Sequence, residues 1–212
     1  MGRQYKMINP IVIPAYSGNV QYYSILQHFE EVYLERYAHY VKQTYRNRCQ
    51  ILTANGVMNL TIPVDKISGE KMLDKDVRIS DTDWQRVHWA AIESAYNNSP
   101  FFLYYSDDIR PMYEKKFEYL LDFNLQLQEI LTSLIGLNSK FVLTDSYTES
   151  NELDFREKLS PKFKGETPNF SPKPYYQVFK EKFGFVENLS IYDLLFNMGN
   201  ESILVLRDSY TK

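Results

Sequence analysis

Apolar positions change period twice within the first fifth of the chain. Ile11-Val12-Ile13, bracketed by Pro10 and Pro14, reads as a short buried strand over residues 10–14. Ala15-Tyr16-Ser17-Gly18-Asn19 then reads as a turn whose last residue can cap a helix. Tyr22, Ile25, Leu26 and Phe29 follow the i, i+3, i+4, i+7 spacing, which predicts a helix over 20–29. Residues 31–35 alternate and predict a second strand. A strand followed by a helix N-terminus is a unit that can receive anions. It carries neither G-x-G-x-x-G nor G-x-x-x-x-G-K, so it is not a dinucleotide fingerprint or a P-loop.

The clearest local signal is a β-hairpin over 48–64. Asn55-Gly56 favours a two-residue type I′ turn, which would set Ala54 opposite Val57, Ile51 opposite Leu60 and Cys49 opposite Ile62. Alternation then turns Cys49, Ile51 and Thr53 to the core. Arg48 faces a polar side, joined by Arg46 if the strand extends that far. Residues 65–76, with Gly69, are a polar connection, and 77–79 a possible short strand. Thr82, with Gln85 three residues on, fits a capping box for a helix ending near Tyr96. Its stripe is Trp84, Val87, His88, Ala91, Ile92 and Ala95. The longest helix is expected over 111–135, closed by Gly136, with Asn124 and Gln128 on its apolar stripe. Residues 141–143 read as a strand, 194–198 as a helix capped from Ser190, and 203–206 as a final strand. Between them, residues 144–174 are polar and proline-rich, a long loop or lid.

These elements describe an α+β protein with a single domain over 1–212. Its mixed or antiparallel sheet includes the β-hairpin and packs against two long helices. The length of 212 residues suffices for a core without staples. The aromatic share of 16%, with 18 Tyr, suits a partly wet cleft. A net charge of −3 argues against a nucleic-acid partner. The single Cys49 excludes an intrachain disulfide and points to a reducing, cytoplasmic setting. The run at 11–13 is too short for a signal-peptide core or for membrane insertion, and Lys6 spoils the myristoylation context of Gly2.

No strong catalytic motif is present, and three scattered His with one Cys lack the spacing of a metal site, so none is expected. Candidate chemistry concentrates at 40–49. Lys42, Arg46 and Arg48 can hold phosphate or carboxylate, and Tyr40 and Tyr45 can stack on a ring. The plainer alternative is a solvated basic face guarding an edge. His88 can be a proton-transfer group or a core histidine satisfied by a neighbour. Asn124 can orient a ligand or bond to backbone. The hairpin register makes Cys49 packing, not a nucleophile.

Several motifs resemble the WbqC-like protein family. They are Ile13-Pro14-Ala15-Tyr16, Tyr40-Val41-Lys42-Gln43-Thr44-Tyr45-Arg46-Asn47-Arg48-Cys49, Leu60-Thr61-Ile62-Pro63-Val64, Trp84-Gln85-Arg86-Val87-His88-Trp89, Leu120-Leu121-Asp122-Phe123-Asn124 and Leu189-Ser190-Ile191-Tyr192-Asp193. The resemblance implies a role in bacterial surface-polysaccharide or O-antigen biosynthesis. It suggests a transferase acting on a sugar or nucleotide-sugar precursor, or a non-catalytic sugar- or partner-binding module of that pathway. It gives no cofactor. The positions it carries over are Tyr16, Tyr40, Lys42, Arg46, Asn47, Arg48 and Asn124 for an anionic small molecule, with His88 as the catalytic candidate. Many members carry Gln-Pro before the first Tyr and Leu-Pro after it. Here Ser17-Gly18 follows Tyr16.

Overall fold

A computed structural model describes residues 9–66, 72–163, 165 and 169–211. Gly2, Lys6 and Gly69, named above, lie outside them. The order is β1 (Ile11–Val12), α1 (Val20–Gln27), β2 (Glu31–Leu34), β3 (Arg48–Thr53), β4 (Gly56–Thr61), α2 (Trp84–Tyr96), α3 (Phe102–Ile109), α4 (Leu120–Ile135), β5 (Lys140–Leu143), α5 (Lys180–Phe183), α6 (Ile191–Met198) and α7 (Ser202–Asp208). The architecture is α+β. The strands divide between two sheets: β1, β2 and β5 are wholly parallel, in the order β1-β2-β5, and β3 and β4 form a separate antiparallel hairpin.

The parallel sheet takes its strands from the two apolar runs near the amino terminus and from residues 140–143. α1 connects β1 to β2 as a crossover. Asn19 caps α1 by accepting from the Tyr22 N–H at 2.9 Å. The N-terminus of α1 is not open to a ligand. Its Val20 N–H donates to Leu189 O (3.0 Å) and its Gln21 N–H to Asn188 Oδ1 (3.0 Å). The outer edge of β1 is covered by the chain beyond β5. Ile11 N–H donates to Leu153 O (3.0 Å), and Phe155 N–H donates back to Ile11 O (2.9 Å). Residues 144–155 therefore cross from one side of the sheet to the other at the carboxyl ends of the strands.

The hairpin forms, but two residues out of the predicted register: Thr53 pairs with Gly56, Ile51 with Met58 and Cys49 with Leu60. Positive φ falls on Gly56 (+104°) and not on Asn55, so the type I′ turn is not made. Instead Thr53 Oγ1 donates to Gly56 O at 2.8 Å and accepts from the Asn55 N–H at 3.2 Å, which makes Ala54-Asn55 the loop. A shift of two preserves alternation, so Cys49 and Ile51 still face the core.

Four further expectations are corrected. α4 starts at Leu120, not near 111, because Pro111 opens a separate 3₁₀ turn over Arg110–Tyr113. Residues 203–206 lie in the helix α7, not a strand; a short apolar run is ambiguous in period, and here it packs against α1. Asp83, not Thr82, occupies the cap of α2 and makes no side-chain cap bond. Val87 faces solvent, and Tyr96 takes its place on the buried face. α3 was not foreseen; it buries Phe102, Tyr105, Ser106 and Ile109 at helical spacing. Among the described residues no helix is long and apolar enough to cross a membrane.

Candidate functional site

A cleft of about 990 Å³ opens beside the carboxyl ends of the parallel strands. One wall is the segment after β2, with Tyr37, His39, Val41, Thr44 and Arg46. The other is the segment after β5, with Tyr147, Asp154, Arg156, Lys158, Lys162 and Phe163. Parallel sheets bind ligands at this end because the loops there diverge and leave a crevice. Glu35, the residue after β2 and completely buried, ties the two walls together. Its carboxylate accepts from Tyr37 N–H (2.7 Å), Thr148 N–H (2.7 Å), Thr144 Oγ1 (3.1 Å) and Arg156 Nη1 (3.3 Å).

The lining is cationic and partly apolar. Arg46, Arg156, Lys158 and Lys162 face Asp154 and Glu157. Val41, Tyr147 and Phe163 are 42%, 59% and 38% exposed, so the cleft offers apolar surface beside its charges, although the Arg156 guanidinium covers one face of the Tyr147 ring at 4.5 Å. The two arginines differ in what they have left to donate. Arg156 engages all three nitrogens: Nε and Nη2 on Asp154 (3.0 and 2.6 Å) and Nη1 on Thr148 O (2.9 Å) and Glu35. Arg46 meets Asp74 through Nε alone, at 2.8 and 2.9 Å from the two carboxylate oxygens. Its Nη1 has only a long 3.5 Å contact to Thr44 Oγ1. Burial pushes the Asp74 carboxyl up to about 6, against the pull of Arg46. Lys162 Nζ reaches across the mouth to donate to Lys42 O at 2.6 Å.

Behind the cleft lies a buried polar chain. His88 Nδ1 is 2.9 Å from Tyr16 Oη, which is 3.0 Å from Tyr113 Oη, itself 2.8 Å from Tyr192 Oη. Burial drives His88 down to about 4, although a hydrogen bond to the Thr61 backbone opposes this. The imidazole is thus neutral near pH 7. Its single N–H goes to Thr61, so Nδ1 accepts from Tyr16. Burial holds all three phenols protonated. Cys49 packs against this chain, and burial lifts its thiol to about 12, so no thiolate nucleophile is available.

The predicted residues separate into two groups. Arg46 lines the cleft, and Lys42 sits exposed at its rim. Tyr40 encloses its hydroxyl beside Asp74, Arg46 and Arg48, and burial raises it to about 12. Arg48 bonds across the hairpin to Thr61 Oγ1 (3.2 Å). Arg46 does not share that face, since β3 begins only at Arg48. Tyr16, Asn47, His88 and Asn124 are buried behind the cleft and do not line it. Asn47 Nδ2 donates to Ile62 O (2.9 Å). Asn124 Nδ2 donates to Arg46 O (2.7 Å) and to Pro14 O (3.3 Å), so α4 grips the backbone that carries Arg46. Tyr16 N–H does the same one residue earlier, donating to Tyr45 O at 2.8 Å. Sequence reasoning missed Glu35, Asp74, Arg156, Lys158 and Lys162. The cations had a signal, the Arg156, Lys158, Lys162 spacing in the polar loop; the buried acids had none. Among the described residues no group of three or more His, Cys, Asp or Glu could hold a metal ion.

The chain is 25% identical over 214 residues to the "Uncharacterized protein Rv1507c" of Mycobacterium tuberculosis (strain ATCC 25618 / H37Rv), covering 88% of this chain and 91% of that one. No solved structure matches. The model of the WbqC-like protein family matches residues 14–167, which include both walls of the cleft and, of the buried chain behind it, Tyr16, His88 and Tyr113, and the protein belongs to that family.

Proposed function

We propose that the cleft binds an anionic sugar derivative, a nucleotide-sugar or sugar phosphate, as substrate of a group-transfer step in surface-polysaccharide biosynthesis. The observation that carries this reading is the pairing of free cationic donors with exposed aromatic surface in one crevice at the carboxyl ends of parallel strands. Cations suit the phosphate and aromatic faces suit a sugar or base. The polar segment after β5 serves as the outer wall, with its tip at Lys162 and Phe163 able to fold over a ligand. His88 acts in this reading as a positioning residue: it holds Tyr16, and Tyr16 holds the backbone next to Arg46.

A second reading, a non-catalytic sugar-binding module, is favoured by one observation: His88 and Cys49 are both buried away from the cleft. Calorimetry with a panel of nucleotide-sugars and sugar phosphates tests binding. The double variant Lys158→Glu/Lys162→Glu, which changes only the outer wall, should lose at least about tenfold in affinity, since two charge-assisted contacts are reversed. Unchanged affinity would refute the assignment. Release of nucleotide or phosphate from the bound compound with time separates the enzyme from the module.

A further inference from the structure

The cleft holds two arginines, and their hydrogen bonds divide their labour. Arg156 has every nitrogen committed to Asp154, Thr148 and Glu35. It is chiefly a structural cation: four of its five N–H donors are held, which leaves one Nη2 N–H. Arg46 commits only Nε firmly. Among the described residues its Nη2 makes no hydrogen bond, and the side chain lines both the cleft and a small recess of about 20 Å³ in its floor. The planar fork of Arg46 therefore presents its Nη edge to whatever occupies the cleft, with Asp74 fixed on its other edge.

We propose that the Nη edge of Arg46 is the phosphate seat of the cleft, and that seating an anion there draws one proton from solvent onto Asp74. This rests on the ligand-binding reading above and adds the seat and its coupled proton. The reason is electrostatic. An anion on one edge of Arg46 and a carboxylate on the other share a single positive charge in a buried setting, and like charges so placed do not both stay ionised. Asp74 is only 6% exposed, which leaves water little room to screen the pair. The other groups facing Asp74 do not supply a second cation at hydrogen-bond distance. Glu35 adds negative charge, His39 opposes it weakly, and the enclosed Tyr40 hydroxyl lies nearby with Arg48 behind it. Lys75, the next residue, is turned to Asp76 at 2.9 Å. The carboxyl already titrates near 6 without ligand, so a modest further push brings proton uptake into the neutral range.

The test uses the whole chain and two probes whose phosphate or sulfate groups do not titrate near neutrality, UDP-glucose and sulfate. Calorimetry in buffers of different ionisation heat reads the proton count directly, and needs no variant. Wild type should take up about 0.4 proton per ligand near pH 7 for a push of about one unit, and more for a larger one. Its affinity should fall with rising pH between the free and bound titrations of Asp74, by at most about tenfold per pH unit. Asp74→Asn, nearly isosteric, should bind both probes with a flat pH profile, and Arg46→Gln should lose binding by at least about thirtyfold. If ligand binds, is weakened by Lys158→Glu/Lys162→Glu, yet takes up no proton and has the same pH profile in Asp74→Asn, the proton-coupled seat is wrong while the cleft assignment stands. If Arg46→Gln binds as wild type does, the seat itself is wrong. Binding of neither probe to wild type overturns both.

Discussion

Glu35→Gln is the most informative single change, because it keeps the shape of the side chain and alters only one edge. The Oε1 bonds from Tyr37 N–H and Thr144 Oγ1 survive, since the amide oxygen can take them. The amide nitrogen then meets two donors, Thr148 N–H at 2.7 Å and Arg156 Nη1 at 3.3 Å. Both bonds are to a charged acceptor, worth about 1.5–3 kcal/mol each when lost. The cost falls below their sum because Arg156 keeps Asp154 and Thr148 O. The expected loss is about 3 kcal/mol, or a fall in Tm of about 6–12 °C for a chain of this size. Urea unfolding followed by the fluorescence of Trp84 and Trp89 measures it. Ligand affinity should fall as well, since both walls of the cleft lean on this carboxylate. A loss under about 0.5 kcal/mol would refute the view that Glu35 ties the walls together, because a surface substitution does no more than that.

Three further outcomes follow from burial and backbone geometry. His88 titrates near 4 in the fold and near 6.5 when unfolded, so its contribution is intact above pH 6.5 and lost as pH falls through 4. The stability difference between wild type and His88→Phe should therefore move against wild type by about 3 kcal/mol between pH 7 and pH 4, read by urea titration at each pH. The raised Asp74 and Asp193 act in the opposite direction but cancel in that difference. Iodoacetamide should leave Cys49 unmodified in the folded protein and label it in urea, by intact mass; ready labelling of the folded state would contradict its burial. Gly56→Ala should cost about 1 kcal/mol or more and Asn55→Ala under about 0.5, because only Gly56 has positive φ; the reverse order would restore the type I′ register.

What could be read from the sequence was whatever local chemistry dictates. Asn19 and Ser190 cap their helices as their positions suggest, Gly136 ends α4 in the left-handed conformation, and the hairpin turns Cys49, Ile51 and Leu60 inward by alternation, while near its tip Leu52 is buried and Met58 exposed against that pattern. Turn type was harder, because Thr53 competes for the loop backbone with its hydroxyl, a bond that spacing does not reveal. The apolar run at 203–206 fits either period, and its partner α1 decided it. The candidate site was half legible. Arg46 stood out as part of a cationic run, but its counter-ion lies 28 residues away, and Glu35 lies 121 residues from Arg156. Pairings at that range leave no periodic trace. His88 was correctly placed on a buried stripe, while its partner Tyr16, 72 residues earlier, could not be inferred from helix geometry.

The docking of residues 153–155 on the free edge of β1 also bears on the order of assembly. β1 gains its outer neighbour only after most of the chain has been made, and the turn before α1 waits longer still: Ser17 Oγ meets Ser190 Oγ at 2.7 Å across 173 residues. Loop closure over such spans must be met before these contacts stabilise anything. A nascent chain stopped before residue 190 should therefore remain open to protease at the turn before α1. Both walls of the cleft are made by residue 163, but that turn is not pinned until Ser190 has joined it.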